Sequence, residues 1–324
     1  MTRKERVLAT VRGETPDRVP AAFWLHFPES MHHGEQAVKA HLKFWEETET
    51  DILKVMNENL LPRQPIAAAG DWRHIRPLRL DDPFVVDQLD IIKAVADAVG
   101  DETPVIATIH GVFASAFHTA FGRDPYEQKR AGLVAHFREA PKAVQAGFRA
   151  IAEGLAALTQ ASLQAGAHGI YYAALGGEQA LFTADEFAEL IEPLDRAVLD
   201  AAREASAFNI LHICKDHVDL RRYANYQPQV VNWAVHEGNP PLIEGRELFP
   251  ASTLLGGLDD RAGVLVSGTG PELETAVAAA IEEMGIERFI LGADCTLPTE
   301  ISYQRIRQAV RATATRPTEE QSRS

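Results

Sequence analysis

Eight short runs of β-branched and aromatic residues recur along the chain, and helical patterns fill the gaps between them. The runs lie at 19–26, 51–57, 104–110 and 169–176 in the first half, then at 209–214, 230–235, 253–258 and 288–294. A strand that reaches its neighbour through a helix lies parallel to it, and eight such units close into a single (β/α)8 TIM barrel. The other arrangement open to this alternation is a doubly wound sheet, but no Gly-x-Gly-x-x-Gly follows the first run. Residues 139–164 read as one long alanine-rich helix. Thr183-Ala184-Asp185-Glu186 is a capping box that opens a helix running to about residue 207. Thr269-Gly270-Pro271-Glu272 opens another, with proline in the first turn. The longer stretches between the second and third runs and between the third and fourth are expected to be insertions over the barrel mouth. One domain over 1–312 is expected, with a polar, aromatic-free tail over 313–324.

Charge and composition narrow the class. A formal net charge of −14 argues against a nucleic-acid partner, because phosphate backbones are bound by clustered lysine and arginine. No apolar run reaches the ~20 residues that cross a membrane. The opening Met1-Thr2-Arg3-Lys4-Glu5-Arg6 has no apolar core behind its charges, unlike a secretory signal. The expectation is a cytoplasmic protein whose cysteines are thiols.

The chain of 324 residues has two cysteines, and each ends an apolar run. His212 and Cys214 are two apart at the close of the fifth run, so on a strand both side chains face the same way. Cys295 closes the eighth. Taken singly, a buried cysteine is usually a small core hydrophobe and a strand-end histidine a hydrogen-bonded structural residue. Together, one imidazole and two thiolates are a three-ligand set for Zn2+ that leaves one position open. A Cys214–Cys295 disulfide is the competing reading. Barrel active sites gather at the C-terminal strand ends. Polar residues stand at each equivalent place: His26, Asn57 and Glu58, His110, Glu178, His236 and Glu237, and Asp259 and Asp260. His26, Asn57, Glu58, His110, Glu178 and His236 are candidates for substrate binding. Glu237, or His236 beside it, is the candidate for an exchangeable fourth ligand. Two thiolates leave the metal electron-rich, so a bound thiol is deprotonated yet stays nucleophilic, which suits thiol alkylation better than water activation.

These motifs resemble a known family. Arg6-Val7-Leu8 and Gly13-Glu14-Thr15-Pro16-Asp17-Arg18-Val19-Pro20 are similar to the N-terminal signature of the uroporphyrinogen decarboxylase superfamily. Asp51-Ile52-Leu53-Lys54-Val55, His212-Ile213-Cys214 and the stretch from Gly292 to Pro298 fit the same family. The resemblance implies a (β/α)8 barrel. Within the superfamily, the His-x-Cys and the distant Cys resemble the zinc pattern of cobalamin-dependent methyltransferases, among them the methylcorrinoid:coenzyme M enzymes. It implies zinc on His212, Cys214 and Cys295, and methyl transfer between a corrinoid and a thiol or tetrahydrofolate. The corrinoid (methylcobalamin) would be a substrate or ride on a corrinoid carrier protein. The decarboxylase itself has a segment with arginines near the first strand that binds porphyrinogen carboxylates. Here the stretch Phe23-Trp24-Leu25-His26-Phe27-Pro28-Glu29-Ser30 has no arginine. Two other functions stay open: a decarboxylase or lyase of this superfamily acting on a smaller acid, and a non-catalytic zinc-binding barrel.

Overall fold

A computed structural model describes residues 1–122 and 124–314. Its eight strands are β1 (Ala21–Ala22), β2 (Leu53–Val55), β3 (Val105–His110), β4 (Gly169–Ala174), β5 (Ile210–Ile213), β6 (Val230–Trp233), β7 (Thr253–Leu258) and β8 (Phe289–Ala293). Each lies inside the run expected for it. All neighbours pair in parallel, in the order β1-β8-β7-β6-β5-β4-β3-β2, so the sheet curls round until β1 and β2 meet as its two edges. The fold is a nearly closed (β/α)8 TIM barrel ringed by helices. Strand residues are buried almost throughout, as expected for a parallel sheet covered on both faces.

The seam between β1 and β2 is closed by side chains as much as by backbone. The Asp51 amide donates to the Ala21 carbonyl at 2.8 Å. In return the Ala21 amide donates to Asp51 Oδ2 at 2.8 Å. The Asp51 carboxylate is fully buried and also accepts from Arg6 at 2.7 Å and from both Arg18 terminal nitrogens at 2.8 and 2.9 Å. Asp17 holds the rest of the Arg6 fork at 2.6 and 2.8 Å. Gly13 caps the helix Arg3–Arg12 at φ +77°, where a Cβ would lie 2.7 Å from the Arg288 guanidinium. The N-terminal signature is therefore a latch at the bottom of the barrel, away from the C-terminal strand ends. Arg18 also donates to the buried Thr313 hydroxyl at 3.0 Å. The tail expected over 313–324 lies outside the described residues from 315 onward.

The helices depart from expectation where prolines interrupt them. The helix expected over 139–164 begins at Pro141 and runs Pro141–Gln164, with Ala140 out of helical geometry at φ −138° and ψ 65° between it and the helix Tyr126–Glu139. The helix opened by the Thr183 capping box ends at Leu190, and a second, Glu192–Arg203, starts with Pro193 in its first turn. After β5 comes only a 3-10 stretch, Leu220–Tyr226, and after β6 only single turns, Leu242–Glu244 and Gly245–Leu248. The linker after β6 carries Gly238, Asn239, Pro240, Pro241, Gly245 and Pro250, so a full helix does not propagate there. No described helix is long and apolar enough to cross a membrane.

Candidate metal centre

His212 lies on β5, and Cys214 follows directly behind it. The register places His212 opposite Asn232 on β6. Cys295 follows β8, which Asp294 prolongs by donating its amide to the Leu258 carbonyl at 2.9 Å. The His212 nitrogen and the two sulfurs all lie within 4.8 Å of one another. His212 Nε2 is 3.4 Å from the Cys295 sulfur, and both cysteines are free thiols with no disulfide between them.

Asn232 decides which ring nitrogen of His212 faces the sulfurs as a lone pair. Its Nδ2 donates to the Leu255 carbonyl at 2.9 Å and to the Ala293 carbonyl at 3.1 Å. That fixes the amide orientation and leaves Oδ1 as the acceptor 2.6 Å from His212 Nδ1. Nδ1 must then carry the proton, and Nε2 is free to ligate. The imidazole is also stacked on Tyr171, with centroids 5.2 Å apart and planes at 20°. A hydrogen bond from Cys214 holds the Cys295 thiol well below the usual range, while the same bond and burial push Cys214 up. A bound cation would favour thiolate at both positions. Soft donors, a set tautomer and an open side fit Zn2+.

The three residues stand at the floor of a cavity of about 540 Å3. The connections after β2 and β3 supply part of its wall, through Leu60, Phe117 and Tyr126, where insertions over the mouth were expected. His26, Asn57 and His110 also line it. His110 Nε2 donates to the Asn57 carbonyl at 2.9 Å, and burial lowers its pKa. His26 Nδ1 is 2.7 Å from Glu58, whose other carboxylate oxygen is buried with no partner among the described residues. Glu178, by contrast, is bound by Arg130 and by the Gly176 amide at 3.0 Å, and does not face the cavity. His236 is tied to Asp294 at 3.0 Å, which raises its pKa. The Glu237 carboxylate pairs with Arg261 at 2.8 Å and is not part of the three-ligand group. Asp260, which does line the cavity, is pushed up to about 6 by burial and by the charge of Cys295.

Four cavity or support residues escaped the sequence reading as site residues: Asn232, Lys54, Lys215 and Arg261. Lys54 is buried at the middle of β2, and burial drops its pKa to about 7. Its ammonium sits 3.8 Å from the Tyr171 ring centre and 5.0 Å from that of Trp24. An asparagine within an otherwise apolar strand was the available signal for Asn232, and a lysine centred in a buried run was the signal for Lys54.

Fold and site together define a (β/α)8 barrel in which one histidine and two cysteine thiols converge at the C-terminal mouth. The chain belongs to the Uroporphyrinogen decarboxylase (URO-D) family, whose pattern matches residues 60–316. Comparison with curated proteins finds no match. Among solved structures, a methyltransferase from Methanosarcina mazei superposes with a TM-score of 0.76 at 16% identity, over 97% of this chain and 98% of its own. A B12-independent methionine synthase from Shewanella sp. W3-18-1, solved in complex with selenomethionine, gives 0.55 at 14% identity, over 94% and 97% of the two chains. A putative vitamin-B12 independent methionine synthase from Listeria monocytogenes gives 0.55 at 13%, over 93% and 96%. At these identities the likeness is one of fold.

Proposed function

We propose that this protein is a zinc-dependent methyltransferase that moves a methyl group between a corrinoid and a thiol acceptor. The observation that carries the reading is the convergence of His212 Nε2 with the Cys214 and Cys295 sulfurs, the imidazole tautomer being set by Asn232. Zinc held there would bind the acceptor sulfur at its open position and favour the thiolate while leaving it nucleophilic. His212 presents its lone pair without a proton to lose. Cys214 and Cys295 supply two negative charges that offset the dication. Asp260 lines the cavity and is placed to take the proton an incoming thiol gives up. Glu237 is the exchangeable carboxylate on this reading, released from Arg261 when it serves as fourth ligand. Leu60, Phe117 and Tyr126 give the cavity an apolar part of its wall.

The names of the structural neighbours support methyl transfer in general rather than one donor. One is a methyltransferase, and two are methionine synthases described as independent of B12. Methionine is itself an S-methyl thioether, in keeping with a thiol acceptor. The corrinoid rests on the motif resemblance, and a separate carrier protein would deliver it at the mouth. Decarboxylation of a porphyrinogen is disfavoured by the arginine-free stretch 23–30. Two measurements test the proposal: zinc content of protein purified without chelator, and the spectral change as methylcobalamin loses its methyl group to a thiol. About one zinc per chain and thiol-dependent demethylation are expected. Metal-free protein with both thiols freely reactive, or turnover of uroporphyrinogen with none of methylcobalamin, would overturn it.

A further inference from the structure

The cavity carries an excess of positive charge inside a strongly acidic chain. Lys54, Lys215 and Arg261 line it, against the single carboxylate of Asp260. Arg261 is committed to Glu237 at 2.8 Å and Asp260 at 3.5 Å. Lys215 rests over Tyr126 at 4.4 Å. Lys54 is different. It is 4% exposed, yet it forms no hydrogen bond or salt bridge with any described residue. The rings of Tyr171 and Trp24 fix where its ammonium sits, but they do not cancel its charge. The nearest negative groups, Cys295, Glu58 and Cys214, act on it only through space. Glu58 is already paired with His26. The two thiolates are neutralised once a dication sits between them and His212. A filled metal centre therefore leaves Lys54 as a buried amine whose charged form has no partner, lining the cavity beside the metal ligands, and an anionic group brought into the cavity would supply that partner. Buried charges are retained where something pairs with them.

We infer that Lys54 anchors a permanent anionic group on the small molecule that occupies this cavity. The ligand class is a small organic acid whose carboxylate lies close to the atom bound at the centre. The inference rests on the metal-centre reading and deepens it by naming the charge of the substrate. It also accounts for the position of the lysine: β2 places Lys54 in the wall of the same cavity that His212 and Cys295 line. The long-range field of a chain with net charge −14 repels anions in general, so the attraction is local to this cavity.

The test is a charge series of equal length, 3-mercaptopropionate, 3-mercaptopropanol and 3-mercaptopropylamine, titrated calorimetrically into zinc-loaded protein, with propionate as a thiol-free arm. The acid is expected to bind at least about tenfold tighter than the alcohol, and the amine weakest, because a desolvated charge pair discriminates by this order. In Lys54→Met the acid and alcohol should bind alike, and the propionate signal should vanish. Lys54→Gln serves as a second variant, and circular dichroism with zinc content confirms that each is folded and loaded. Equal affinities across the series in the unsubstituted protein, or a preference for the acid that survives in folded Lys54→Met, would overturn the assignment. Lys54-dependent binding of the acid with no methyl transfer from methylcobalamin would sink the catalytic reading and leave the anchor standing. Methyl transfer to all three thiols without regard to charge would do the reverse.

Discussion

Removing the Asn232 amide should weaken metal binding without touching a ligand. Asn232 is fully buried and makes three hydrogen bonds, to His212 Nδ1 at 2.6 Å and to the Leu255 and Ala293 carbonyls at 2.9 and 3.1 Å. In Asn232→Leu the imidazole loses the acceptor that sets its tautomer and orientation, a change that typically costs 10–100-fold in metal affinity, or about 1.4–2.7 kcal/mol. The two carbonyls are left buried and unpartnered, so stability should fall by about 3 kcal/mol, at ~1–3 kcal/mol for each orphaned group. Asn232→Asp separates the two effects. It keeps the acceptor for His212, so zinc affinity should stay within a few-fold, while loss of the Nδ2 donors destabilises the fold to a similar degree. Competition against a chromophoric chelator measures the affinity, and denaturant unfolding of the metal-free protein measures the stability. Folded Asn232→Leu that binds zinc as tightly as the unsubstituted protein would refute the argument that Asn232 controls the ligand nitrogen.

Other outcomes follow from the same structure. Cys214→Ser and Cys295→Ala should each lose stoichiometric zinc and methyl transfer while the melting curve and circular dichroism stay close to those of the unsubstituted apoprotein, because both residues stand at strand ends in the mouth. Asp51→Ala should destabilise by about 3 kcal/mol, since it removes the carboxylate that pairs Arg18, one of the two that pair Arg6, and the acceptor of the Ala21 amide, yet zinc affinity of the folded fraction should not change. Asp195 gives a pH signature: burial raises its carboxyl to about 7, outweighing the Tyr172 and Tyr226 hydroxyls that favour the carboxylate. A folded pKa above the unfolded value of ~4 means that the stability held by the neutral acid is complete below pH ~4 and is lost as pH rises through about 7. The loss is of order 4 kcal/mol, and Asp195→Asn should flatten that part of the stability curve measured by denaturant unfolding across the same pH range.

The division between what the sequence discloses and what it hides follows the range of the interactions. Strand positions were legible because parallel strands buried on both faces write themselves as continuous apolar runs, and the model places a strand inside each. The convergence of His212, Cys214 and Cys295 was legible because His212 and Cys214 share a strand end and the chain has only one other cysteine. Helix breaks at Pro141 and Pro193 were also written in the sequence, although the capping boxes and alanine-rich pattern drew attention away from them. Asn232 was hidden for a different reason. Its meaning depends on the β5–β6 register, which sets it opposite His212, and no local pattern encodes a register between separate strands. Lys54 lies within a family-like motif, but only the closing of the barrel lays it over Tyr171 from β4 and Trp24 beyond β1. The N-terminal signature and the site also turn out to be separate pieces of physics. Arg6, Asp17, Arg18 and Asp51 latch the seam at the bottom of the barrel, whereas Lys54, three residues after Asp51, points its charge into the mouth. A family signature of this sort reports how the barrel closes. What the barrel does must be read from the residues at its other end.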